Sequence, residues 1–137
     1  MFMARVVMYT DGGARGNPGP AGAGAVIYDG EKKVAEIAEY LGDSQTNNWA
    51  EYEALALALA EAERQGLTGE VEVRMDSELI VKQMRGEYRV KDSELKKQHA
   101  KVRELMGAFV SVDFTHVPRE RNKEADRLVN DAIDSKI

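Results

Sequence analysis

The chain of 137 residues contains no cysteine, which excludes disulfides, zinc-thiolate sites and a thiol nucleophile. It has only three prolines and one tryptophan. Apolar stretches never approach the roughly 20 residues that a membrane-spanning helix needs. The N-terminal Met-Phe-Met-Ala-Arg lacks the charged segment and apolar core of a secretory signal. These absences lead us to expect a soluble, untargeted protein, cytoplasmic and monomeric. An excess of positive charge is also missing: the net charge is −5, which argues against a strong nonspecific grip on nucleic acid.

Apolar residues make up 43% of the chain, enough for one core, so residues 1–137 read as a single domain. Charge is unevenly spread. Residues 1–70 are acidic in balance, whereas Lys82, Arg85, Arg89, Lys91, Lys96, Lys97, Lys101 and Arg103 crowd into residues 82–103. That stretch is either a phosphate-facing surface or the solvated side of two amphipathic helices.

Four acids stand out by position. Asp11 ends the apolar run from Arg5 and precedes Gly12 and Gly13, so it reads as the last residue of a strand before a turn. Asp76 ends a second run in which Val71, Val73 and Met75 alternate with Glu72 and Arg74. Open α/β sheets bind ligands at the carboxyl ends of their strands, so both aspartates would meet there if the strands are parallel neighbours. Glu51 and Asp126 fall in the first turns of two helices. Glu51 shares a face with Leu55, Ala58, Leu59 and Ala62, and Asp126 aligns with Val129 and Ile133. An acid there ordinarily complements the helix dipole and stays exposed. Glu53, Glu124 and Asp131 suit that description better.

Periodicity and turn residues give strands at about 5–11, 22–29 and 33–41, with Asp29-Gly30-Glu31 as a hairpin turn. A helix follows at 48–65, stopped by Gly66, then a strand at 70–76 and a short helix at 77–85. A helix over 93–106 has Leu95, His99, Val102 and Met106 on one face. A strand at 110–117 and a last helix close the chain. This mixture of hairpins and crossovers predicts an α/β protein with a mixed sheet flanked by helices in three layers.

The segment from Tyr9 through Asp11 and Asn17 to Gly24 resembles the opening motif of type 1 ribonuclease H. The likeness continues through Thr46-Asn47-Asn48-Trp49-Ala50-Glu51, Met75-Asp76-Ser77 and Asn122-Lys123-Glu124-Ala125-Asp126. It is similar to an archaeal-like, minimal form without a basic handle. The resemblance implies the ribonuclease H-like fold, a five-stranded mixed sheet with strands 1 and 4 parallel. It also implies hydrolysis of the RNA strand of RNA–DNA hybrids, leaving 5′-phosphate and 3′-hydroxyl ends.

Asp11, Glu51, Asp76 and Asp126 match the family's metal-binding carboxylates, expected to hold two Mg²⁺, with Mn²⁺ as a substitute. The resemblance makes Asp11 the bridge between the ions. Asp126 would help hold the ion carrying the attacking water, and Glu51 and Asp76 the ion at the leaving group. Hard cations prefer oxygen ligands, consistent with acids and no cysteine.

Gly12, Gly13, Asn17, Asn47 and Asn48 become candidates for the RNA strand, and Thr46 for a DNA phosphate. On turn chemistry alone, Asn17-Pro18-Gly19 is simply a turn. His116 and Arg119 compete for the auxiliary role that a loop histidine fills in many bacterial members. His116 falls within the predicted last strand, whereas Arg119 lies in the loop and resembles the arginine of archaeal-like members. Arginine cannot act as a base near neutral pH. Glu78 replaces the glutamine often found two residues after the third acid. A non-catalytic binding module of the same fold is the alternative, although none of the four acids is lost.

Overall fold

In the computed structural model, which describes residues 5–136, five strands form one sheet in the order β3-β2-β1-β4-β5. The strands are β1 (Val6–Ala14), β2 (Gly19–Asp29), β3 (Lys32–Gln45), β4 (Glu70–Met75) and β5 (Ser111–His116). The helices are α1 (Asn47–Arg64), α2 (Glu78–Met84), α3 (Ser93–Met106) and α4 (Lys123–Asp134), with one 3₁₀ turn at Arg119–Arg121. β1 pairs antiparallel with β2 and parallel with β4, and β4 pairs parallel with β5. The mixed five-stranded sheet and the parallel neighbours β1 and β4 match expectation.

Strand β1 differs from its predicted form in one respect that matters for the site. It continues three residues past Asp11, because Gly12, Gly13 and Ala14 stay paired with Ala23, Gly22 and Ala21 of β2. Its parallel pairing with β4 stops earlier, at Tyr9 opposite Arg74. Asp11 therefore stands where β1 and β4 part, not at the end of a strand. β2 and β3 are also longer than predicted, because their glycines remain in the ladder, with irregularities near Gly19, Ala21 and Ile27.

Helices cover both faces. Successive strand residues point to opposite sides: a Cβ at Gly12 would lie 2.3 Å from the Ala50 carbonyl group in α1, whereas one at Gly13 would meet Val129 in α4. The larger core lies on the α1 side. There Met8, Ile27, Val71, Val73 and Met75 from the sheet pack with Tyr52, Leu55 and Leu59 of α1 and with residues of α2 and α3. Each fully buried leucine contributes roughly 1.5–3 kcal/mol. Leu55 and Leu59 are completely buried on the stripe that Glu51 heads. On α3 the expected apolar face is incomplete: Gln98 is buried, donating to the Trp49 carbonyl oxygen and to Glu53.

The opposite face is narrower and belongs to α4, whose Leu128, Val129, Ala132 and Ile133 are buried. Two glycines of β2 let it sit close. A Cβ at Gly24 would fall 2.2 Å from the Ala125 carbonyl oxygen, and one at Gly22 would fall 2.8 Å from the Val129 carbonyl oxygen. Gly24 lies directly opposite Asp11 in the β1–β2 register. The close approach therefore brings the first turn of α4, with Asp126, to the level of Asp11.

Gly24→Ala should push α4 off the sheet and cost about 1–3 kcal/mol. Gly69→Ala, at an open position without a positive φ, should be nearly neutral. Urea unfolding of both variants measures the difference.

Candidate active site

Asp11, Glu51, Asp76 and Asp126 line one cavity of about 510 Å³, together with Gly12, Gly13, Asn47, Ser77 and Arg119. Asp11, Glu51 and Asp76 each offer a carboxylate oxygen, and these oxygens all lie within 4.8 Å of one another. Three elements cooperate to bring them there. β1 delivers Asp11 at the fork between strands, β4 ends one residue before Asp76, and α1 begins close enough to β1 for Glu51 to reach the Gly12 amide. That amide donates to Glu51 Oε1 at 2.9 Å and to Asp11 Oδ1 at 3.0 Å. Any side chain at Gly12 would collide with the first turn of α1.

Both central acids are buried, with Asp11 and Glu51 each 8% exposed. Burial, together with the charges of Glu51 and Asp76 and hydrogen bonds with Asp126 and Glu51, pushes the Asp11 carboxyl up to about 9. Burial also raises Glu51, to about 7, against the opposing pull of the Gly12 amide. Three converging carboxylates with this much frustrated charge fit a hard divalent cation, which would replace the proton as the compensating charge.

Other expected residues divide. Arg119 lines the cavity and is exposed. His116 is not among the residues lining it: it closes β5 opposite Met75 and is exposed. Thr46 Oγ1 caps α1 by accepting from the Trp49 amide at 3.2 Å. Asn17 Oδ1 accepts from the Asn47 amide at 3.0 Å, and Asn47 Oδ1 accepts from the Ala14 amide at 2.7 Å. This lacing ties the Gly-rich loop to the start of α1. Asn48 is half-buried beside them. Glu78 is exposed and pairs with Lys82 at 3.7 Å, one turn on.

Much of the basic stretch is engaged within the fold. Lys97 pairs with Glu94, Lys101 with Glu53 and Arg85 with Glu87, while Arg103 donates to the Met84 carbonyl oxygen. No helix among the described residues is long and apolar enough to cross a membrane. Sequence reasoning passed over one side chain at the site, the buried Asn122, which donates to Asp76 Oδ1 at 3.3 Å. Its position four residues before Asp126 was the available signal.

A five-stranded mixed sheet with helices on both faces and a carboxylate cluster where its central strands part defines a ribonuclease H-like domain. Comparison with known proteins agrees. Residues 9–132 match the family described as reverse transcriptase-like. A bifunctional protein of Mycobacterium tuberculosis is 45% identical over 133 residues, covering 96% of this chain and 36% of its own length. Ribonuclease HI of Halobacterium salinarum is 44% identical over 131 residues, covering 95% and 65% respectively. The chain thus spans about a third to two thirds of these curated relatives. LC11-RNase H1, isolated from compost by a metagenomic approach, has been solved in complex with an RNA/DNA hybrid. It superposes with a TM-score of 0.90 at 50% identity, covering 96% of this chain and 98% of that one. The chain belongs to the reverse transcriptase-like family, and within it to the type 1 ribonuclease H group.

The raised carboxyls set the sign of a pH dependence. Folded-state values above the ordinary 3.8 and 4.5 mean that the folded protein binds more protons than the unfolded chain. Their contribution to stability is therefore full at acid pH and lost as pH rises toward about 9. In chelator, Asp11→Asn should melt at a higher temperature than the parent at about pH 9, with the gap closing near pH 5. Mg²⁺ should raise the parent's Tm more at the higher pH. Thermal melts with and without Mg²⁺ check both.

Proposed function

We infer that this chain, as a single domain, is a divalent-cation-dependent endoribonuclease that hydrolyses the RNA strand of RNA–DNA hybrids, leaving 5′-phosphate and 3′-hydroxyl ends. The observation that carries the reading is the convergence of Asp11, Glu51 and Asp76 within 4.8 Å. Asp126 and Arg119 line the same cavity. The family and the hybrid-bound LC11-RNase H1 support the substrate class. A cytoplasmic monomer using two Mg²⁺, with Mn²⁺ able to substitute, completes the reading.

Two such cations, when bound, would supply an activated water and neutralise charge on the departing oxygen. The residues supply everything else. Asp11 neighbours the three other acids, so it would be the ligand shared by both cations. Glu51 and Asp76 would hold the cation on the leaving-group side, and Asp126 the one on the side of the attacking water. The Gly12 amide keeps Glu51 turned toward Asp11. Gly13 and Asn47 line the cavity, where backbone and carboxamide groups contact the RNA 2′-hydroxyls that distinguish RNA from DNA. Asn17 and Asn48 extend this contact, and Thr46 meets a phosphate of the DNA strand. Arg119, permanently charged, attracts the scissile phosphate and stabilises the charge that develops on it. Its presence at the cavity favours it over His116 for the auxiliary role.

Matched RNA–DNA, RNA–RNA and DNA–DNA duplexes, incubated with Mg²⁺, Mn²⁺ or chelator, test the reading. Only the hybrid should be cut, only with cation, and only in its RNA strand. Cleavage in chelator, or an intact hybrid, would overturn it. Asp11→Asn should abolish cleavage while keeping the folded circular dichroism spectrum. Arg119→Ala should lower kcat at least about tenfold, a loss of ~1.4 kcal/mol in transition-state stabilisation. His116→Ala should change it by less than about twofold. The reverse order would return the auxiliary role to His116.

A further inference from the structure

Asn122 is 1% exposed. Its Nδ2 group donates to the Thr10 carbonyl oxygen at 2.9 Å and to Asp76 Oδ1 at 3.3 Å. Its own carbonyl oxygen accepts from the Asp126 amide at 3.1 Å, closing the first turn of α4. One residue thus touches the β1 backbone beside Asp11, the carboxylate of Asp76 and the backbone of Asp126. The Thr10 carbonyl lies just past the last β1–β4 pair, Tyr9 opposite Arg74. There the Asn122 amide takes the place of a strand partner.

The two hydrogens of this amide are both committed, while Asn122 Oδ1, also buried, has no hydrogen-bond partner among the described residues. Leaving a buried acceptor unsatisfied costs about 1–3 kcal/mol. A residue kept only for packing would avoid that cost with an apolar side chain of similar size. The amide's donors are the reason to keep it. A donor on Asp76 Oδ1 also restrains the rotation of that carboxylate.

We propose that Asn122 is the positioning residue of the cation site, orienting the Asp76 carboxylate and locking the start of α4 to β1 so that Asp126 faces Asp11. It is not among the residues that line the acidic cavity. This role rests on the reading of Asp76 and Asp126 as cation ligands. Groups that orient metal ligands typically affect metal affinity or activity by about 10–100-fold.

The test uses Asn122→Asp, nearly isosteric but with the donors replaced by acceptors, and Asn122→Ser, shorter but still a donor. Mn²⁺ affinity is measured by calorimetry on the substrate-free protein, and kcat and KM on the hybrid. Asn122→Asp should weaken Mn²⁺ binding about 10–100-fold and lower kcat by a similar factor, with KM little changed. Asn122→Ser should fall between it and the parent. The proposal is overturned if Mn²⁺ affinity and kcat stay at parental values in whichever variants fold, even if melting temperatures fall. Should the parent bind Mn²⁺ but leave the hybrid intact, the nuclease reading fails. The calorimetric ranking of the variants would still decide the role of Asn122.

Discussion

Two helices approach the central strands from opposite faces, and each does so at a glycine that leaves no room for a side chain. α1 presses its first turn onto Gly12, and α4 presses its own onto Gly24, the residue opposite Asp11. Close backbone approach is a use to which glycine is suited and for which other residues are too large. The distance from Asp11 to the acids on both helices depends on these two contacts. The hydrophobic stripes below, Leu55 and Leu59 on one helix and Val129 and Ile133 on the other, supply the force that holds the contacts closed.

That arrangement works against electrostatics. Burying Asp11 beside Glu51 and Asp76 sets desolvation and like-charge repulsion against folding at neutral and alkaline pH, and the large upward displacement of Asp11 expresses the conflict. The fold offers only partial relief from its own donors, among them the Gly12 amide and the Asn122 and Ser77 side chains. Sites in which the protein leaves charge uncompensated are suited to a ligand that brings the opposite charge. Stability and cation binding are thus two expressions of one balance.

The sequence made the acids legible and hid the backbone geometry that brings them together. Alternation in Val71, Val73 and Met75 showed how β4 delivers Asp76, and the stripe below Glu51 showed that this acid heads a buried face. The fork at Asp11 was hidden, because glycine ordinarily signals a turn, whereas Gly12 and Gly13 here continue the ladder with β2. Gly22 and Gly24 carried no signal of their own, since the need for glycine comes from α4, more than one hundred residues away in the chain. Gln98 and Asn122 broke the apolar pattern for the same reason: each is buried to serve a partner distant in sequence. Thr46 shows the converse, a residue singled out for substrate whose side chain is also needed locally to cap α1.

The four acids arrive from positions 11, 51, 76 and 126, on or beside two strands and two helices. No pair of them is local in the chain, and the parallel pairing of β1 with β4 must form before Asp11 and Asp76 can meet. A partly unfolded molecule, with α4 detached or the central pairing open, has at most a fragment of the cluster. A cation held by the cluster would therefore stabilise the intact structure in preference to any intermediate. Occupancy of the cluster would then report completion of the whole fold and sharpen its cooperativity, coupling α4 to β1.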